Sequence, residues 1–179
     1  IPDPIEFERS SGGENSVAEA AKLLSSAKFP VILNGAGVVL AEGGLEASKL
    51  LAEQLDAPVC VGYQHNDAFP GSHPLFAGPL GYNGSKAGME LIAKADVVLA
   101  LGTRLNPFST RPGYGIDYWP VDAKIIQVDI NPDRIGLTKK VTIGIVGDAA
   151  KVATGILKNL DDTAGDAGRD ERKNLIATT

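Results

Sequence analysis

The chain is short of the residues that build metal centres and covalent staples. Of 179 residues, one is cysteine and two are histidine. One cysteine closes no disulfide, and two histidines beside it do not spell a zinc site. Cys60 sits in the apolar run Pro58-Val-Cys-Val61, where a free thiol behaves as a small hydrophobe; we expect it buried and inert. Long apolar runs are missing too. The longest, Val97 to Leu101, falls far short of the roughly 20 residues that a membrane helix needs. Basic charge is scarce: the net charge is −5 and the pI near 5.0. That balance argues against nucleic-acid or anionic-membrane partners. No basic segment followed by an apolar stretch opens these residues, so the expected setting is cytoplasmic.

What is present suits a globular domain. Hydrophobic residues make up 44%, an ordinary share. A single domain of this length buries about 70% of the surface its unfolded chain exposes. The opening Ile1-Pro-Asp-Pro4 reads as an interdomain connection, and both ends read as cut points in a longer chain. The expected layout is a linker over 1–13, a central domain over 14–160, and a tail over 161–179. That tail is charged and glycine-rich to Arg172, and Asp170 to Thr178 begins a helix leading to a further C-terminal domain.

Periodicity supplies the elements. Val17, Ala20, Ala21, Leu23 and Leu24 form one stripe of a helix from Ser16 to Ala27, the spacing of an amphipathic helix. Phe29-Pro30 ends it and opens the strand Val31 to Leu33. A helix over Leu45–Leu55 and a strand over Pro58–Gly62 follow. After a Gly/Pro/Asn-rich stretch to Gly84, Ser85 is placed to cap a helix reaching Ala95. Strands are then expected over Val97–Leu101, Lys124–Asp129 and Val141–Val146, with a last helix over Ala149–Leu160. A sixth strand fits Leu75 to Leu80. Strands apolar on both faces, alternating with helices, predict a three-layer α/β sandwich around a mainly parallel, Rossmann-like sheet.

In such a sheet ligands bind beyond the carboxyl ends of the strands. Those ends carry Asn34-Gly35-Ala36-Gly37, Gly102-Thr103-Arg104, Asp129-Ile130-Asn131 and Gly147-Asp148-Ala149. Glycine lets a backbone approach a phosphate, a carboxylate accepts hydrogen bonds from ribose hydroxyls, and a guanidinium fork suits phosphate oxygens. The pattern is not the standard NAD fingerprint: the third glycine is missing, and Val61-Gly62-Tyr63 closes the second strand without a carboxylate. Each piece has a plainer reading as well. The Gly-x-Gly turn serves topology alone, Arg104 pairs with a nearby Asp, and Asp148 caps the last helix. His65 and His73 share one Pro/Gly-rich loop without a nucleophile, which favours surface or interface roles. Gly78 to Gly84 has the composition of an anion loop or of a simple connection.

Together these pieces resemble the central domain of thiamine-diphosphate enzymes, the family of acetohydroxyacid synthase, oxalyl-CoA decarboxylase and pyruvate oxidase. The resemblance rests on Val31 to Gly37, Ala95 to Arg104, Ile125 to Pro132 and Gly147-Asp148, and covers Ser16 to Leu160. Within it, His65 to Leu75, Gly78 to Ala87 and Gly115 to Pro120 are similar to the sulfoacetaldehyde acetyltransferase branch. The resemblance implies a parent transferase that converts sulfoacetaldehyde and phosphate to acetyl phosphate and sulfite in taurine degradation. It implies thiamine diphosphate and Mg²⁺ bound by N- and C-terminal domains of the same chain, in a homo-oligomer (dimer or tetramer). It implies no catalytic or metal residue in these 179 residues, and no activity of this piece alone. It carries an FAD-, ADP- or CoA-type contact set onto Gly35, Ala36, Gly37, Gly102, Thr103, Arg104, Asp129, Ile130, Asp148 and Ala149. Rival readings are an acetolactate synthase-like protein, a free-standing FAD- or NAD-binding module, and a sirtuin-like deacylase. The last would carry a four-cysteine zinc module, and this chain has a single cysteine.

Overall fold

The computed structural model describes residues 8–112 and 114–179; residues 1–7 of the expected first linker lie outside them. Helix α1 (Glu14–Ser25) leads to strand β1 (Pro30–Asn34), the short helix α2 (Ala36–Leu40), helix α3 (Gly44–Leu55) and strand β2 (Val59–Gly62). Strand β3 (Phe76–Leu80), helix α4 (Lys86–Ile92), strand β4 (Val97–Leu101), the short helix α5 (Pro107–Thr110) and strand β5 (Lys124–Asp129) follow. A 3₁₀ turn (Pro132–Arg134), strand β6 (Ile143–Val146), helix α6 (Ala149–Lys158) and helix α7 (Arg169–Thr178) complete the described chain.

The six strands form one sheet in the order β3-β2-β1-β4-β5-β6, and every pairing is parallel. This is the doubly wound order of mononucleotide-binding sheets. Burial explains which strands the sequence shows best. Strands β1, β2 and β4 are buried at every position because helices cover both their faces. Edge strand β6 alternates buried and exposed residues and starts at Ile143, two residues later than its apolar run predicts. Edge strand β3 carries Pro79, which pairs opposite Val61 of β2. Proline is tolerated on an edge because it has no N–H to give a further neighbour.

Two apolar layers hold the sheet. Helices α1, α3 and α6 pack on Ile32, Val59, Val61, Leu99, Leu101, Ile126 and Val128. On the other face, α4 and the partly buried Leu175 and Ile176 of α7 pack with Val31, Leu33, Cys60, Val98 and Ala100. Cys60 is fully buried, and burial pushes its thiol up to about 12, so the reactive thiolate is suppressed.

The charged tail is part of this packing. Arg172 is fully buried, and its guanidinium donates to the carbonyls of Asp56, Lys28, Ala167, Leu55 and Gly165. One side chain thereby ties the 165–167 turn and α7 to the end of α3 and the start of β1. A buried charge with its donors satisfied is tolerable, whereas removing it orphans several carbonyls at once. Arg172→Ala is therefore expected to lower stability by about 3 kcal/mol or more, and Arg172→Lys by nearly as much, since an ammonium cannot span the same acceptors. Urea unfolding checks this; a loss below about 1 kcal/mol for Arg172→Ala contradicts it.

Candidate functional site

Chain direction across the sheet reverses between β1 and β4, and the turns leaving these two strands diverge towards opposite faces. The two turns meet back to back. Gly35 N–H donates to the Leu101 carbonyl at 3.0 Å, Gly37 N–H to the Gly102 carbonyl at 2.8 Å, and Gly102 N–H to the Val128 carbonyl at 2.9 Å. A Cβ on Gly37 would stand 2.6 Å from the Gly102 Cα, and one on Gly35 the same distance from the Thr103 Cβ. Gly102 also has φ +60°, a region that costs other residues strain. These glycines let two turns touch each other, and the Gly35 and Gly37 N–H groups are spent doing so. The topological reading of Gly-x-Gly is the one seen in the geometry.

The turns form the floor of a cleft of about 480 Å³, within the range of small-molecule sites. Gly35, Ala36, Gly37, Gly102, Thr103, Arg104, Asp129, Ile130, Asp148 and Ala149 all line it. The four strand ends singled out in the sequence thus converge on one space. Asp129 accepts from Asn131 N–H through Oδ1 at 2.9 Å, leaving its second oxygen without a donor among the described residues. Arg104 reaches no carboxylate within 4.0 Å among them. The ion pair with a nearby Asp, the plainer of its two readings, is not formed.

Asp148 is differently employed. It caps α6, accepting from Ala150 N–H at 3.0 Å and Lys151 N–H at 3.2 Å. It also pairs with Arg9 at 2.9 Å. Arg9 donates to the Leu40 carbonyl as well, Asp148 N–H donates to the Ser10 carbonyl, and Ser11 bridges Gly147. The cap consumes two of the N–H groups that a helix N-terminus offers an anion. This end of the cleft therefore offers a diphosphate little.

Several cleft residues were not foreseen. Arg9 lay in a segment read as a linker. Arg134 ends the Asn131-capped 3₁₀ turn, where Asp133 N–H donates to the Asn131 side chain at 2.9 Å; an Asn-Pro start was the available signal. Asn106 and Ser109 come with α5, which Asn106 caps at Phe108 N–H, 2.8 Å, before Pro107. Leu40, Gly62, Gln64 and His65 also line the cleft. His65 stands 3.8 Å from Asp67, and no hydrogen bond joins it to a cleft hydroxyl among the described residues. His73 lies elsewhere, 3.1 Å from Glu53 and edge-on to Phe69.

Gly78 to Leu80 end strand β3, and the rest of the segment to Gly84 is a braced connection outside the cleft lining. Tyr82 N–H donates to the Phe108 carbonyl at 3.1 Å, Ser85 N–H to the Pro79 carbonyl at 2.6 Å, and the Tyr114 hydroxyl to the Gly84 carbonyl at 3.1 Å. Ser85 caps α4 through Gly88 N–H. Among the described residues no group of three His, Cys, Asp or Glu side chains is placed to hold a metal, and no helix is long and apolar enough to cross a membrane. Gly147-Asp148 is followed by Ala149-Ala150, and its carboxylate is already engaged. These residues do not fit thiamine diphosphate with Mg²⁺.

Sheet order and cleft together define a doubly wound, Rossmann-like α/β domain. The chain belongs to the thiamine pyrophosphate enzyme central-domain family, whose profile matches residues 17–156. It is 76% identical over its full length to a sulfoacetaldehyde acetyltransferase of Roseovarius nubinhibens. It is 71% identical to a probable sulfoacetaldehyde acetyltransferase of Rhizobium meliloti, again over its full length. The chain spans 30% of the length of each of these relatives. A putative thiamin diphosphate-dependent enzyme from Mycobacterium smegmatis superposes with a TM-score of 0.73 at 28% identity, over 92% of this chain and 31% of that one.

The glycine contact has a direct test. Gly102→Ala is expected to cost about 2 to 4 kcal/mol, adding backbone strain to a clash with the Gly37 turn. Gly136 also has positive φ, but nothing lies within 4 Å of its would-be Cβ, so Gly136→Ala is expected to cost only about 1 kcal/mol. Equal shifts in thermal midpoint for the two variants would show that the turn-to-turn contact is not what demands glycine.

Proposed function

We propose that this chain is the central domain of a sulfoacetaldehyde acetyltransferase, and that it serves that enzyme as a scaffold with an adenine-nucleotide cleft. The observation that carries the reading is the convergence of Gly35–Gly37, Gly102–Arg104, Asp129-Ile130 and Asp148-Ala149 on one cleft, with no group of three His, Cys, Asp or Glu side chains placed to hold a metal among the described residues. Its likeness in sequence to proteins named for that activity supports the choice of reaction.

In the proposed overall reaction the carbon–sulfur bond of sulfoacetaldehyde breaks, sulfite leaves, and the two-carbon unit becomes an acetyl group bonded to phosphate. Thiamine diphosphate supplies the carbon nucleophile and electron sink for such chemistry, and is held with Mg²⁺ by other domains of the full-length chain. Residues 1–13 and 161–179 join this domain to those neighbours. The full-length enzyme works as a homo-oligomer in the cytoplasm, within taurine degradation.

The cleft's own residues divide the work of holding a nucleotide. The free carboxylate oxygen of Asp129 takes a ribose hydroxyl. Exposed Ile130 and Leu40 offer apolar surface to the base, and Arg104 with Arg134 takes the diphosphate. Asp148, paired with Arg9 and capping α6, leaves the α6 end little to offer a phosphate, which fixes the ligand's direction. An ADP-like group, free or as part of CoA, is favoured over a complete flavin.

Native mass spectrometry with ADP, CoA and FAD offered is expected to show a one-to-one ADP or CoA complex. Asp129→Asn is expected to weaken it by roughly tenfold, the worth of one charge-assisted hydrogen bond. Stoichiometric FAD retained through purification would instead point to a flavin-binding module. Absence of sulfite release by the full-length protein, given sulfoacetaldehyde, phosphate, thiamine diphosphate and Mg²⁺, would refute the assigned reaction.

A further inference from the structure

Charge is not spread evenly along the cleft. Arg9, Arg104, Asp129, Arg134 and Asp148 line it. Four of them end or follow β4, β5 or β6, and Arg9 sits on the segment strapped to the α6 start. The opposite wall is built from the turn leaving β2 and from α5. It presents Gln64 and His65 from the first and Asn106 and Ser109 from the second. Among the described residues no Asp, Glu, Lys or Arg lines that wall. The two pieces meet there: a Cβ on Gly62 would stand 3.4 Å from the Ser109 Oγ.

The polar groups of this wall are unspent. Ser109 is only 7% exposed, yet its hydroxyl makes no hydrogen bond among the described residues. Asn106 uses its side-chain oxygen to accept from Phe108 N–H. Its amide nitrogen is left without an acceptor among the described residues, and the Gln64 amide is likewise unpaired there. A nearly buried hydroxyl without a partner is uncommon in a folded chain, and this one lines the cleft.

We infer that the cleft's ligand continues past its diphosphate as a neutral, amide- and hydroxyl-bearing arm of the pantetheine kind, which makes the ligand class CoA and not free ADP. This rests on the preceding reading of an adenine-nucleotide cleft and deepens it. With the diphosphate at Arg104, the neutral wall lies two strands away in the order β2-β1-β4. That is roughly 10 Å at the ordinary strand spacing, a distance that an extended arm crosses over the Gly35–Gly37 turn. The Asn106 Nδ2 and the Gln64 amide donate to an amide carbonyl of the arm, and the Ser109 hydroxyl meets the arm's own hydroxyl or N–H. A charged continuation, such as a third phosphate, finds no guanidinium or ammonium at this wall. A site of this kind discriminates, because a ligand that lacks the arm leaves its polar groups unpaired.

Calorimetric titration of the purified chain with ADP, dephospho-CoA and FAD tests the inference. Dephospho-CoA adds the arm to ADP without the further phosphate of CoA, so the comparison isolates the arm. It is expected to bind about tenfold tighter than ADP. Ser109→Ala and Asn106→Asp should each cut that preference by roughly threefold or more. Both variants are expected to fold, since the Ser109 hydroxyl holds nothing among the described residues and an aspartate keeps an oxygen for Phe108 N–H. Dephospho-CoA binding no tighter than ADP would overturn the arm while leaving the nucleotide reading intact. So would a preference that survives both substitutions, or FAD binding tighter than dephospho-CoA. If neither ADP nor dephospho-CoA binds, the nucleotide reading itself falls and the arm falls with it.

Discussion

Two backbones press together at the carboxyl ends of β1 and β4, and the cleft exists because they can. Where an open parallel sheet reverses its winding, the segments leaving adjacent strands part towards opposite faces and open a crevice. Here the floor of that crevice is Gly37 against Gly102, with hydrogen bonds running directly from one turn to the other. Side chains at either position would push the turns apart. The end of β1 is fixed from below as well. Buried Asn34 donates to the Ser48 hydroxyl at 2.8 Å and to the Ala68 carbonyl at 2.9 Å, tying the strand end to α3 and to the loop after β2. A satisfied buried amide of this kind holds a strand end to one position.

On that floor, charge decides orientation. Asp148 and Arg9 neutralise each other, and Asp148 occupies the start of α6. Arg104 and Arg134 keep their guanidiniums free of carboxylates among the described residues, and Asp129 keeps one oxygen free. In the proposed nucleotide complex, ribose and diphosphate meet these free groups at one end of the cleft and a spent helix start at the other. This runs opposite to the usual dinucleotide arrangement, in which the acidic residue closes the second strand. In this sheet β2 ends in Gly62, while the carboxylate lies at the end of β5.

The interior of the sheet was legible because it obeys one rule. Strands β1, β2 and β4 are apolar throughout since both faces are covered, and α1 shows its buried stripe at Val17, Ala20, Ala21 and Leu24. The edges were harder to read. Gly78 and Pro79 disguise β3, and β6 exposes every second residue. Short helices α2 and α5 carry no periodicity, and only their Asn-Pro or Gly start gives them away. The tail's helix over Asp170 to Thr178 was legible and matches α7, but its docking was not, because Arg172 reads as surface charge until the carbonyls around it are seen. At the site, the strand-end residues could be found by position. Arg9 and Arg134 could not, since their place depends on chain segments folding back over the rim.

The account stands on nucleotide recognition at the β1–β4 crevice, and amide chemical shifts of the isotope-labelled chain titrated with ADP test it most directly. Saturable shifts centred on Gly35–Gly37, Gly102–Arg104 and Asp129–Ile130, with little change along the α6 start at Ala150 and Lys151, are the predicted result. Shifts confined to the opposite rim around Lys28, Lys94 and Asn174, or none that saturate, would contradict it.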